Sequence, residues 1–271
     1  MVLKRREILK AAVLGSSSIA LSAASLQKTA ANTNREPADI LIVGAGNAGI
    51  PAAIEAADLG AKVILIEKNN FIGGMLIVSG GHISGANAKM QMRKNIKDSY
   101  EKHYQDAMRI GKYQADSELL SIATENAASM IDWLEEIGVE FTEDSPMLVD
   151  DHDHYSVPRT YVGKDLARSL LRPLNKELNK RIKKGNLQVL LDTKALNLIQ
   201  NEDKEIVGVR VKNKSGDDEI YSKTVILTSG GYGASKPMKK KYNPKVMSAK
   251  WVGLPHATGD GINMAKKINT K

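Results

Sequence analysis

The 271-residue chain is expected to adopt an α/β fold with a parallel sheet, inserted helices and a β-meander. Three observations predict it. An apolar run, Ile40-Leu41-Ile42-Val43, leads into Gly44-Ala45-Gly46-Asn47-Ala48-Gly49, an alanine-rich helical stretch to Leu59, and a second strand, Lys62 to Ile66, closed by Glu67. Helical periodicity then dominates to Gly185. From Leu187 the period changes to that of strands, with turn residues between them.

The first element carries the most chemistry. Gly-x-Gly-x-x-Gly alone is a weak signal, but here it joins a strand to a helix with an acid about 20 residues on, the full context of a Rossmann-like dinucleotide site. Gly44 permits the tight turn, Gly46 lets the backbone approach a pyrophosphate, and Gly49 lets helix and strand pack closely. The helix start offers N–H groups and a positive dipole end to phosphate. Glu67 is expected to accept hydrogen bonds from ribose hydroxyls, which disfavours a 2′-phosphate there.

Two glycine pairs follow, Gly73-Gly74 and Gly80-Gly81, in a loop placed where a bound dinucleotide would pass. Helices are predicted over Ile96–Ile110, Ser117–Ile137 and Lys164–Lys184. The second has an apolar stripe from Leu119, Leu120 and Ile122 to Ile131, Leu134 and Ile137, closed by Gly138. The third repeats Leu166, Leu170, Leu174, Leu178 and Ile182, with Pro173 a candidate kink. Strands are expected over Gln188–Leu191, Ala195–Ile199, Glu205–Lys212, Glu219–Tyr221 and Lys223–Leu227, the last running into Thr228-Ser229-Gly230-Gly231. The segment Ala257-Thr258-Gly259-Asp260-Gly261 is a glycine-rich turn opening a helix near Asp260. Nicotinamide dehydrogenases continue with repeated βα units. A meander returning to a glycine-ended strand instead points to an FAD-binding domain of the glutathione-reductase type.

Composition narrows the function. The net charge is +8, of which residues 1–31 contribute +4, leaving +4 spread over the rest of the chain. With few aromatics and no basic cluster interleaved with them, nucleic acid is not an expected partner. There are no cysteines, so disulfides, an iron–sulfur cluster, covalent c-type haem and a lipoprotein anchor are excluded, and any electron relay must lie on another molecule. Lys4-Arg5-Arg6-Glu7-Ile8 before a short apolar stretch, Ala11 to Leu26, resembles a twin-arginine export signal, with Lys4 and Ile8 departing from the usual residues. Residues 1–31 are therefore read as a signal peptide, cleaved after Ala24 or Ala31, and the mature protein as periplasmic without a stable membrane span.

The order GAGNAG, IEK, IGG, SGG, ILTSGG, TGDGINMA is similar to the flavoprotein subunits of the fumarate reductase and succinate dehydrogenase family, and closest in pattern to the soluble, exported fumarate-reductase-like members. His154-Tyr155-Ser156-Val157-Pro158-Arg159-Thr160-Tyr161 also resembles that subgroup. The resemblance implies that Ala48 and Gly49 contact the pyrophosphate, Glu67 the adenosine ribose and Gly80 and Gly81 the flavin side. It places Ala195 by the adenine, Gly230 and Gly231 beside the cofactor, and Asp260 at the ribityl region. It implies non-covalent FAD, because the loop Met75-Leu76-Ile77-Val78 lacks the linking histidine of covalent members and His82 lies beyond Gly80-Gly81.

Members of the family continue past TGDG into a capping domain that carries the acid–base groups. Residues 35–271 are thus expected to form an incomplete FAD-binding domain, with no catalytic residue of their own. The implied reaction is hydride transfer from FAD to an activated C=C bond of a small carboxylate, fed by a separate electron donor such as a cytochrome or a quinol-linked protein. A flavin dehydrogenase such as a 3-ketosteroid dehydrogenase, or a non-catalytic fragment, are the alternatives. Asp150-Asp151-His152-Asp153-His154 has no recognised metal-ligand spacing and is read as a solvated loop. His103, on a polar helix face, and His256, before the TGDG turn, are weak candidates; Arg159 or His256 would be the acid if these residues alone were active.

Overall fold

The computed structural model describes residues 36–150 and 153–268. The proposed signal peptide, with Arg5 and Arg6, lies outside the described residues, as do Asp151 and His152. The chain divides into two compact units. The first holds the described residues up to Leu76 and those from Lys176 onward; the second is Ile77–Asn175.

The first unit is built on a six-stranded sheet. Its strands are β1 (Ala38–Val43), β2 (Val63–Ile66), β5 (Leu187–Leu190), β6 (Lys194–Gln200), β7 (Ile206–Asn213) and β8 (Gly216–Leu227), in the spatial order β5-β2-β1-β8-β7-β6. β1 pairs in parallel with β2 and β8, and β2 with β5, whereas β6, β7 and β8 form the antiparallel meander. Parallel strands are covered on both faces, which accounts for the unbroken apolar run of β1 and β2. Leu41, Val43, Ile64 and Ile66 pack with Ala195, Val209, Val211, Ile220 and Met264 in one core cluster. Helix α1 (Gly49–Asp58) packs on β1 and β2 through a buried face of Ile50, Ala53, Ile54 and Ala57.

One expectation is corrected here. Glu219–Tyr221 and Lys223–Leu227 are not two strands but halves of β8. The first half pairs antiparallel with β7 up to Tyr221, and from Ser222 the strand pairs in parallel with β1. The polar pair Ser222-Lys223 marks a change of partner, not a turn.

The second unit contains a two-stranded antiparallel sheet, β3 (His82–Ser84) with β4 (Thr160–Val162), both too short to show a period. Its helices are α2 (Lys89–Arg93), α3 (Tyr100–Ile110) and α4 (Ser117–Glu136). α3 starts four residues later than expected because Ser99 caps it, its hydroxyl accepting from Lys102 N–H. In α4 only the C-terminal part of the predicted stripe is buried: Ile131 and Leu134 are, while Leu119 and Ile122 are exposed. Gly138 ends it at φ +99°, as the αL position after a helix requires. Helix α5 (Arg168–Lys184) buries Leu170, Leu174 and Leu178 and contains Pro173. Leu166 is excluded from the stripe: it precedes the helix at φ +49° and is exposed, as is Ile182. The first unit closes with α6 (Lys236–Tyr242) and α7 (Asp260–Lys267).

Among the described residues no helix is long and apolar enough to cross a membrane.

Candidate functional site: a dinucleotide cleft

The three fingerprint glycines are required for three different reasons. Gly44 has φ +107°, and a Cβ there would stand 2.8 Å from Thr228 O. A Cβ at Gly49 would lie 1.9 Å from Gly44 O, so α1 can approach the strand–turn only with glycine there. Gly46 differs, because its Cβ would meet nothing within 4 Å. The same holds for Gly230 and Gly231 after β8. Gly44 and Gly49 are dictated by contacts with the protein's own backbone and Gly230 by its φ of +75°, while Gly46, Gly230 and Gly231 leave open space where a ligand can lie on bare main chain.

That open space is a cleft bordered by Gly44, Gly46, Glu67, Ala195, Gly230, Gly231 and Asp260, seven of the eleven sequence-predicted positions. Asn47, Lys68, Thr193 and His256 also border it. Ala48 and Gly49 stand behind the turn as the N-cap and first residue of α1. Gly80 and Gly81 belong to the second unit, where Gly81, at φ +73°, is pressed against the Leu166–Ala167 backbone.

Glu67 is buried, and most of its carboxylate's acceptor capacity is taken by its own neighbourhood. Ala45 N–H donates to Oε2 at 2.9 Å, and Asn69 donates to Oε1 from its backbone at 2.9 Å and its side chain at 2.7 Å. A carboxylate offers about four lone-pair sites, so roughly one is left for a ribose hydroxyl. The acid thus braces the glycine turn while one of its acceptor positions stays free.

Lys68 was missed by the sequence reading. Its Nζ donates to His256 O at 2.5 Å, Thr258 Oγ1 at 2.9 Å and Asp260 Oδ2 at 2.9 Å. Burial pushes Asp260 up, but the Lys68 ammonium and the Thr258 hydroxyl outweigh it and hold the carboxyl below its ordinary range. Asp260 opens α7 behind Gly259 at φ +73°, and Gly261 N–H donates to Ser229 Oγ at 3.1 Å. The strap from Lys68 therefore fastens the end of β2 to the start of α7, 192 residues apart.

The residues considered as proton donors have other surroundings. Arg159 is fully buried in the second unit. It donates to Asp98 through Nε (2.9 Å) and Nη2 (2.8 Å) and to Asp106 through Nη1 (2.6 Å). Tyr155 lies on its face at 5.0 Å. Two carboxylates fix the guanidinium as a structural counter-ion. His103 is not on a polar face: it is buried, edge-on to Tyr155 at 5.6 Å. Burial, with Arg159 adding to it, lowers its pKa to about 4, so the ring is neutral. His154 pairs with Asp150 at 2.6 Å. Among the described residues no group of three or more metal-ligating side chains converges.

A family model described as an FAD binding domain matches residues 39–270. The chain belongs to that family. FAD is accordingly its cofactor, and the open main chain at Gly46, Gly230 and Gly231 is a cradle of the kind a dinucleotide needs. The chain is 33% identical over 246 residues to a probable fumarate reductase of Shewanella frigidimarina, covering 90% of this chain and 40% of that one. It is 34% identical over 243 residues to a urocanate reductase of Eggerthella lenta, covering 85% and 38% respectively. Among solved structures, the open conformation of a flavocytochrome c3 fumarate reductase superposes with a TM-score of 0.80 at 31% identity, covering 92% of this chain and 43% of that one. A 3-ketosteroid dehydrogenase from Rhodococcus jostii reaches 0.79 at 22% identity and shares the fold. These residues are thus the FAD-binding part of the fumarate reductase and succinate dehydrogenase flavoprotein family, whose relatives are FAD-dependent oxidoreductases. The chain spans about two fifths of the length of these curated relatives.

Proposed function

We propose that these residues form the FAD site of an exported reductase of the fumarate-reductase type, acting on an activated C=C bond of a small carboxylate. The observation that carries this reading is the cleft in which bare main chain at Gly46, Gly230 and Gly231 faces Glu67 and Asp260. Gly46, Ala48 and the start of α1 would hold the pyrophosphate, Glu67 the adenosine ribose, Ala195 the adenine side and Asp260 the ribityl chain. Gly230 and Gly231 would flank the cofactor, and Gly80 and Gly81 would serve the flavin side. When bound, FAD supplies the hydride. The chain's own part is to orient the dinucleotide and to keep the Asp260 carboxylate charged and paired. The names of the relatives, probable fumarate reductase and urocanate reductase, support an unsaturated carboxylate as the substrate class.

The reading includes non-covalent attachment, an electron donor on another molecule, such as a cytochrome or quinol-linked protein, and periplasmic export of residues after 31 by a twin-arginine signal. Acid precipitation of the yellow protein should leave all flavin in the supernatant, and Glu67→Arg should release it on dialysis; flavin in the pellet refutes non-covalent attachment. The natural full-length protein, given reduced methyl viologen, should turn over fumarate or urocanate. Inertness toward unsaturated carboxylates, together with oxidation of a saturated ketone, would overturn the substrate class. Changing Arg5 and Arg6 to Lys should leave the precursor uncleaved in the cytoplasm.

A further inference from the structure

The charge of this protein is not spread along the chain as its sequence first suggests. Residues 232–268 contain eight lysines, Lys236, Lys239, Lys240, Lys241, Lys245, Lys250, Lys266 and Lys267, and a single acid, Asp260. That acid is already paired with Lys68. None of the eight lysines is in an ion pair among the described residues, and all but the half-buried Lys239 are exposed.

The fold brings two of them, Lys241 and Lys266, together, while Lys267 bonds Asn197 on β6 at 2.6 Å. α6 and α7 are joined by Met238, which is buried and receives Asn263 Nδ2 on its sulfur at 3.6 Å, and against which a Cβ at Gly259 would collide at 2.4 Å. The junction brings Lys266 to Tyr242, its Nζ 2.5 Å from the hydroxyl and 3.9 Å from the ring centroid, with Lys241 at 5.3 Å on the same ring. The Lys266 hydrogen bond, with Lys241 adding to it, lowers the Tyr242 pKa. The loop carrying Lys245 and Lys250 is held down at its far end by Trp251, which covers Gly233 and Gly253 and donates to Leu254 O at 3.0 Å. Met238 and Tyr242 thus hold the Lys241 and Lys266 parts of α6 and α7 together.

The α6–α7 surface also adjoins the cofactor cleft. Gly231, on the cleft wall, is five residues before Lys236, and α7 begins at Asp260 in the cleft and ends at Lys266 and Lys267. At 1.5 Å per residue that helix is about 12 Å long. A strong field of one sign beside a redox site steers carriers of the opposite sign. These 271 residues contain no cysteine, so they hold no iron–sulfur or covalent haem relay of their own.

We infer that the α6–α7 surface, with Lys241 and Lys266 on Tyr242 and Lys239 and Lys240 in the same helix α6, is the docking site of an acidic one-electron carrier protein that reduces the bound flavin. The inference rests on the reductase reading above. Each flavin takes two electrons from two successive carrier molecules and two protons from water, and each carrier is oxidised by one electron.

The test uses the natural full-length, FAD-loaded protein with flavodoxin hydroquinone as an acidic donor and reduced methyl viologen as a small one. The variants are K239E/K240E/K241E and, independently, K245E/K250E, compared with wild type for flavin content and Tm. At low salt the triple variant should lose at least tenfold in the flavodoxin rate constant and in flavodoxin affinity by calorimetry, and the double variant should lose less. The differences should collapse at 0.5 M salt, with viologen rates unchanged. A flavodoxin rate and affinity within twofold of wild type at low salt overturn the proposal. So does an equal loss with viologen, which would mean the lysines act on the flavin itself. Loss of sedimentation with phosphatidylglycerol vesicles, at unchanged flavodoxin rate, would assign the surface to membrane lipid instead. Failure of viologen to reduce the wild-type flavin would fault the reductase reading and not the docking surface.

Discussion

The two units of this protein solve the same problem, the burial of charged side chains, in opposite ways. In the cofactor unit, Glu67 is buried beside two partners within the β2 exit loop and the glycine turn, and its carboxylate still borders open space. In the Ile77–Asn175 unit, Arg159, Asp98 and Asp106 are buried against one another. Ser156 gives Asp106 two further hydrogen bonds, from backbone and hydroxyl, and Gln91 gives Asp98 one. The first arrangement leaves a lone pair for a ligand. The second is closed, so it serves the fold and offers no chemistry. A buried arginine in a family of reductases invites a catalytic role; its partners decide otherwise.

The largest effect should come from opening the closed network. Arg159→Met strands two buried carboxylates and should cost about 3–5 kcal/mol. Denaturant unfolding should show the loss, and Arg159→Lys should rescue little, since an ammonium lacks the fork that serves both acids. A variant as stable as wild type would mean that the network is dispensable.

A pH titration of stability should probe the closed unit next. His103 has a folded pKa lowered to about 4 by burial, against about 6.5 unfolded, so the unfolded state binds more protons between those values. Stability should therefore fall as pH drops from 6.5 to 4, by on the order of 2–3 kcal/mol. Asp106 adds a second window. Burial raises it, but Ser156 and Arg159 outweigh burial and hold it to about 2, so its contribution is complete above about 4 and lost as pH falls through 2. His103→Phe should flatten the first window and leave the second; an unchanged profile would contradict the assignment.

The smallest effect belongs to the strap of the open unit. Lys68→Met removes three hydrogen bonds from a group that is about a quarter exposed. FAD should bind about fivefold more weakly, the equivalent of roughly 1 kcal/mol, with Lys68→Arg close to wild type. Equal loss in both variants would mean that length, not charge, matters there.

The contrast also explains what the sequence disclosed. The glycine turn, Glu67, the meander and the Asp260 helix start were legible because each is written in neighbouring residues: a turn needs φ > 0, a strand a period, a helix a cap. The Lys68 strap and the Arg159 network join residues 192, 61 and 53 positions apart, and nothing local marks either end. Ser222 reads as a break because a polar residue in a strand looks like a turn, whereas β8 only changes neighbours there. His103 reads as exposed because α3 is polar on average. Its burial is set by Tyr155 and Arg159, which arrive from a loop 50 residues on. The basic surface escaped notice because a whole-chain charge does not show where lysines gather.

The central claim is that bare main chain at Gly46 is where FAD lies, and one titration tests it. Cofactor-free wild-type protein and Gly46→Val, a change that meets no protein atom within 4 Å of the Cβ, are titrated with FAD by calorimetry. The prediction is an unchanged Tm for the free protein and an FAD affinity at least about tenfold weaker, because the new methyls occupy the pyrophosphate's place. Wild-type affinity in Gly46→Val would place the cofactor elsewhere and contradict the account.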